Sequence, residues 1–222
     1  MSVSFADESS TYDFGWLDSD KEVYVLQNRK YRKKGSVTVS AMGGMTTSGA
    51  FTNATVTQGR FGYFFTETLG VEGLFSKNFS KENTTANAVY AVGAVPFIRR
   101  TESYLGGMLL WSPFYAKINT FNSILYFDWI FGLGAASLTD SNNRNNVGTS
   151  SRSSQNWVNE SHTGILWDIG LRFYLSEMFS VRLDFTGVHY KATQYTGSNS
   201  SIGNKDLYYE NYDLLAGLNI AF

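Results

Sequence analysis

The stretch from Tyr208 to Phe222 alternates apolar and polar residues one by one, and this period-two pattern limits the chain more than any other feature. Tyr212, Leu214, Ala216, Leu218, Ile220 and Phe222 fall on one face; Asn211, Asp213, Leu215, Gly217, Asn219 and Ala221 fall on the other. A strand turns successive side chains to opposite faces, so one face is apolar and the other mostly polar or small. In a soluble sandwich the apolar face looks inward. In a membrane barrel it looks out into lipid and the polar face lines the interior. The pattern alone does not choose between them.

Composition narrows the choice. No run approaches the ~18–20 apolar residues of a membrane helix, but a barrel strand crosses with ~9–11 tilted residues and gives no strong hydropathy peak. A length of 222 residues fits one all-β domain. The absence of cysteine removes disulfide frameworks and thiolate metal sites. A net charge of −1 provides no global field for nucleic acid. The N-terminus lacks the charged start and apolar core of a signal peptide. Ser4-Phe5-Ala6 before Asp7 reads either as the remnant of an export cleavage site or as an ordinary polar start.

The same alternation recurs along the chain. Strands are expected at Ser36–Met45, Val56–Phe65, Leu69–Asn78, Tyr104–Ile118, Ser123–Ala136, His162–Leu175, Phe179–Tyr190 and Tyr208–Phe222. Short turns follow the second, fourth and sixth strands, and longer connections follow the third, fifth and seventh. That rhythm belongs to outer-membrane barrels, and an even strand count puts both termini on the periplasmic side. Phe65, Phe114, Tyr115, Phe121, Phe173, Phe179 and Phe222 gather at the expected periplasmic strand ends, as an interfacial aromatic girdle does. A lipocalin-like soluble barrel also has eight strands. It would not need Trp129, Phe131, Trp167 and Phe173 on one face with Asp and Arg opposite. The expectation is an all-β, eight-stranded antiparallel transmembrane barrel over residues 36–222, after an N-terminal periplasmic arm over residues 1–35.

Four sets of residues are candidates for function. Arg29, Lys30, Arg32, Lys33 and Lys34 make the sharpest charge cluster. They are either a solvated run or lipid-headgroup contacts, each worth about 1 kcal/mol near an anionic surface. Arg60, Glu72, Asp128, Asp168, Arg172, Arg182, Asp184 and Asp213 project inward, where eight strands leave room only for side chains. Mixed charges so confined should pair as a plug, the alternative being a selective pore. The connection Ala86–Ile98 carries Val89, Tyr90, Val92, Val95, Phe97 and Ile98, and is either a short helix broken near Pro96 or an apolar flap. Such a surface should be covered by the barrel mouth, a neighbouring copy or lipid. The fourth strand is apolar on both faces, so its register stays open and its second face asks for a protein or lipid partner. Catalysis finds little support: His162 adjoins Glu160 and Ser161, but neighbours along a strand point to opposite faces. His162 and His189 have no shared carboxylate cluster in the sequence, so no metal site and no cofactor are expected.

The terminal strand ending in Phe222 resembles the C-terminal assembly signal of bacterial outer-membrane barrels, and the size and turn pattern resemble the small OmpA-type barrel. A narrower likeness covers Lys21–Ala136. Tyr24-Val25-Leu26-Gln27-Asn28-Arg29-Lys30, Trp111-Ser112-Pro113-Phe114-Tyr115-Ala116-Lys117 and Ile124-Leu125-Tyr126-Phe127-Asp128 resemble PopA-type barrels of predatory and related bacteria. Ala116 stands where that family has glycine. The resemblance implies ring-forming barrels that enclose lipid rather than conduct solute. Its implied partners are membrane lipids, further copies of the chain and the barrel assembly machinery, with no nucleic acid. The expected function is therefore non-enzymatic, homo-oligomeric lipid organisation. A narrow channel for a small solute is the alternative, and a lipid-modifying enzyme a remote one.

Overall fold

The computed structural model describes residues 29–120, 123–147, 157–195 and 204–222. The strands are β1 (Val37–Thr46), β2 (Thr52–Phe64), β3 (Leu69–Glu82), β4 (Arg99–Trp111), β5 (Tyr115–Thr120), β6 (Ser123–Asn142), β7 (Val158–Tyr174), β8 (Phe179–Gln194) and β9 (Lys205–Ala221). Helix α1 (Thr84–Ala91) lies between β3 and β4. Each strand pairs antiparallel with its neighbours, and β1 pairs with β9 through Thr38 opposite Ala221 and Thr46 opposite Asp213. Segments β4 and β5 both pair with β6, one beyond the other, so they are two parts of a single barrel strand. The result is a closed eight-stranded antiparallel barrel.

The polarity of this barrel is inverted relative to a soluble one. Phe61, Leu109, Leu133 and Leu218 stand on the outer wall with 61–69% of their surface exposed, whereas Arg60, Glu72, Asp168 and Arg182 are buried inside. A continuous apolar belt of this kind needs lipid against it. Aromatic contacts edge the belt on both sides. Near the short-turn end Trp111 and Trp129 lie 5.8 and 6.2 Å from Phe131, and Phe127 lies 5.7 Å from Phe173. Toward the loop end Trp167, Phe185, His189 and Tyr212 form a second group with ring centroids 5.5–6.3 Å apart. Phe121, part of the expected girdle, lies outside the described residues.

Three features differ from the sequence expectation. First, the fourth barrel strand is interrupted at 112–114, where Pro113 has no N–H for the ladder. Ser112 instead donates its backbone N–H to Thr68 O at 2.7 Å. Second, the inner face of β4 needs no outside partner. Tyr104, Met108 and Leu110 pack inside the barrel with Phe64, Leu74, Ile130, Leu138, Leu166 and Val188, the apolar core that fills the lumen beside the charges. The open register is thereby resolved: Leu105, Leu109 and Trp111 point outward. Third, the strands run past their hydropathy signal. Strand β6 continues to Asn142, β7 starts at Val158, and β8 reaches Gln194. Ladder hydrogen bonds need only backbone, so a strand that leaves the bilayer continues through polar residues.

The connection after β3 contains a helix followed by a strap. Asn83 caps α1, its side chain accepting the Ala86 N–H at 3.1 Å. The helix ends ahead of Gly93, whose φ of +80° lets the chain reverse before Pro96.

Candidate functional site

The lumen is filled in tiers, and strand parity brings each inward side chain to its place. At the short-turn end, Glu67 in the β2–β3 turn accepts the backbone N–H groups of Lys33 and Lys34 at 3.1 and 3.2 Å. Gly35, at φ +80°, turns the chain into β1. This bracket aims Lys33 inward. Its Nζ donates to Asp128 Oδ2 at 2.7 Å and to Ser112 Oγ at 2.6 Å, and Tyr174 donates its hydroxyl to the same Asp128 oxygen at 2.6 Å. Tyr31 stacks on Tyr174 at 4.7 Å. Lys33 is therefore separated from the headgroup set: it is 2% exposed, drawn in by a buried carboxylate, while Lys30, Arg32 and Lys34 are exposed and Arg29 is partly so. The compact barrel unit starts at Tyr31.

The middle tier is an ion-pair network. Arg60 meets Glu72 at 3.0 Å, Asp168 at 3.0 Å and Asp184 at 2.9 Å. Arg182 meets Glu72 at 2.6 Å and Asp184 at 2.8 Å. Thr186 donates to Asp168 at 2.6 Å. Arg172 lies over the Phe64 ring at 5.3 Å, a cation–π contact inside the barrel. Charge balances in this tier, with Arg60, Arg172 and Arg182 against Glu72, Asp168 and Asp184. Balance matters because a buried charge without a partner is strongly destabilising. From Arg60 a polar chain runs upward through Gln58 at 2.6 Å, the Tyr104 hydroxyl at 3.0 Å and Asp213 at 2.8 Å. Asp213 also accepts from Thr46 at 2.6 Å.

The loop end is a different environment. The strap folds over the mouth, with Ile98 buried and its N–H donated to Asn143 Oδ1 at 2.8 Å. Asn143 returns its Nδ2 to Pro96 O at 2.9 Å. Phe97 packs on Tyr195 at 5.9 Å. Val89, Tyr90 and Val95 are half-buried and Val92 is exposed. Beside the strap lies a cavity of about 220 Å³, bounded by Ser48, Asn78, Ile98, Arg99, Tyr190, Tyr209 and Asn211 among others.

Arg99, at the start of β4, gathers the rim. It binds Asp140, donates to Glu160 Oε2 at 3.1 Å and to Thr193 O at 2.8 Å, and has Nη1 3.2 Å from His162 Nε2. Arg144 binds Glu160 from the other side and donates to the Tyr195 hydroxyl at 3.0 Å. The sequence alone does not reveal this grouping. Glu160 and His162 share a face at period two, which was visible, but Asp140 joins them only through the β6–β7 register that sets it opposite Glu160. Ser161 falls on the outer face, away from His162.

No family model and no curated protein sequence matches the chain. Solved structures of small outer-membrane barrels do. The N-terminal barrel domain of Pseudomonas aeruginosa OprF is 12% identical, with 85% of this chain and 98% of that one covered and a TM-score of 0.49. OprG of the same organism is 14% identical over 86% and 98% of the two chains, with a TM-score of 0.42. Ail, the attachment invasion locus protein of Yersinia pestis, is 11% identical over 85% and 99%, with a TM-score of 0.41.

Proposed function

We propose that the chain is a non-enzymatic bacterial outer-membrane barrel that acts through its outer wall, organising lipid together with further copies of itself. The observation that carries this reading is a smooth lane on the lipid-facing side. Gly73 on β3 lies opposite Gly107 on β4, which lies opposite Ala135 on β6. A side-chain carbon added at Gly107 or at nearby Gly59 would meet nothing within 4 Å, and at Gly73 would make only ordinary contact. Backbone sterics therefore do not demand glycine there. Glycine inside a strand weakens it and marks a place where another group approaches closely. Phe61, Tyr63, Val71, Leu109 and Leu133 wall the lane into an apolar groove. Small-residue surfaces of this sort let a neighbouring backbone or an acyl chain pack tightly in a bilayer.

The filled lumen favours this reading over a channel, because the Arg60–Glu72–Arg182 network occupies the route a solute would take. The likeness to PopA-type barrels points the same way. The first and last barrel strands begin and end at the short-turn end, at Val37 and Phe222, which suits a periplasmic placement with exposed Arg32 and Lys34 near the inner-leaflet headgroups. The assembly machinery would meet the last strand through Phe222.

The test is native mass spectrometry of the detergent-solubilised protein beside Gly107→Leu. An oligomer carrying phospholipid that loses both in the variant supports the proposal. A lipid-free monomer in the wild type removes it. Charging Val89 or Val95 asks separately whether the strap contributes to assembly.

A further inference from the structure

We propose that Asp140, Glu160 and His162 form a binding site for a divalent transition-metal ion at the loop end of the barrel, and that Arg99 holds the site in its metal-free form. One acceptor atom from each residue converges, all within 4.8 Å of one another. His162 Nε2 is 3.5 Å from Asp140 Oδ1 and 3.7 Å from Glu160 Oε2. Metal bonds of ~2.0–2.2 Å set the edges of a tetrahedral ligand set at roughly 3.3–3.6 Å, so two edges nearly match without rearrangement.

A second observation points to an unused ligand atom. Asp140 is fully buried, yet its Oδ1 has no hydrogen-bond partner. A buried carboxylate oxygen with no hydrogen-bond partner, 3.5 Å from an imidazole nitrogen, is placed to act with it as a pair of ligands once Arg99 moves aside. Asp140 Oδ2 is already engaged by Arg99, and Glu160 Oε1 by Arg144, so each carboxylate turns its other oxygen toward His162. Three strand-borne ligands with a fourth direction toward the mouth is the pattern of an open zinc site rather than a closed structural one. The mixture of imidazole and carboxylate suits Zn²⁺ and its neighbours, whereas Ca²⁺ prefers an all-oxygen shell of six or more ligands.

Arg99 competes with the ion. Its Nη1 stands 3.2 Å from His162 Nε2 and its Nη2 3.1 Å from Glu160 Oε2. It also has another place to go, since it already donates to Thr193 O and lies 5.0 Å from the Tyr209 ring and 5.6 Å from that of Phe97. Metal binding would shift Arg99 onto that carbonyl and those rings, loosening the joint between strap and rim.

The test uses the full chain in detergent micelles after chelator treatment, titrated with Zn²⁺ by calorimetry and with Co²⁺ by visible absorption. The expected result is one ion per chain and ligand-field bands of a nitrogen–oxygen site. Glu160→Gln and His162→Ala should each weaken binding by at least about tenfold. Arg99→Met should tighten it, and His189→Ala should leave it unchanged. Folding of each variant is read from its heat-dependent gel mobility. Absence of Co²⁺ bands in folded wild-type protein overturns the proposal. So does equal Zn²⁺ binding by wild type and folded His162→Ala, or weaker binding by Arg99→Met.

Discussion

Two charge clusters stand in one lumen, and they differ in depth and in one residue type: the rim carries His162, whereas the middle tier is arginine and carboxylate alone. In the middle tier Arg60, Arg172, Arg182, Glu72, Asp168 and Asp184 are all buried and balanced. At the loop end Glu160 and His162 keep 18% of their side-chain surface exposed, and Arg144 keeps 33%. The inner cluster leaves Asp168 Oδ2 and Asp184 Oδ1 without a hydrogen-bond partner, but on side chains sealed from solvent. The rim cluster has a carboxylate oxygen without a partner and a way out to solvent. Depth in the barrel, together with one imidazole, separates a plug from a candidate site.

The sharpest way to break this contrast is Glu72→Gln. It removes one of the two carboxylates shared by Arg60 and Arg182 and leaves Asp184 alone to bridge two buried guanidiniums. A loss of about 3–5 kcal/mol is expected in urea unfolding from lipid vesicles. Lys33→Met should cost less, about 2–3 kcal/mol, because Asp128 keeps its hydrogen bond from Tyr174. Pairing it with Asp128→Leu should recover part of that loss, since the two changes share one interaction. Arg144→Ala at the rim should cost about 1 kcal/mol or less and should cost less still at high salt. The Glu72→Gln penalty should hardly respond to salt. Lys191→Ala, which breaks an ion pair with Asp206 more than half exposed on both sides, should give no measurable change.

Strand parity explains which parts of this comparison could be read from the sequence. Alternation in β2, β7 and β8 assigned Arg60, Asp168, Arg172, Arg182 and Asp184 to the inner face, because one residue of slip would turn the aromatics inward. The rhythm of short and long connections gave the strand order. Lys33 could not be singled out from its run: five cations in six residues look alike until a turn carboxylate and a buried aspartate select one. The register of β4 stays open in the sequence because its inner face is apolar, lining the hydrophobic core beside Leu166 rather than the charges. Asp140 falls in the long connection expected after the fifth strand, because strand pairing beyond the bilayer leaves no hydropathy signal. Its role depends on a register that joins residues distant in sequence.

A filled lumen is the premise of the proposed roles of the wall and the rim. Planar-bilayer recording of the purified wild-type protein tests that most directly. Silence at either polarity, with no unitary steps, is the expected result. Steady ohmic steps that change in Asp168→Asn or Arg172→Gln would contradict it and make the barrel a channel.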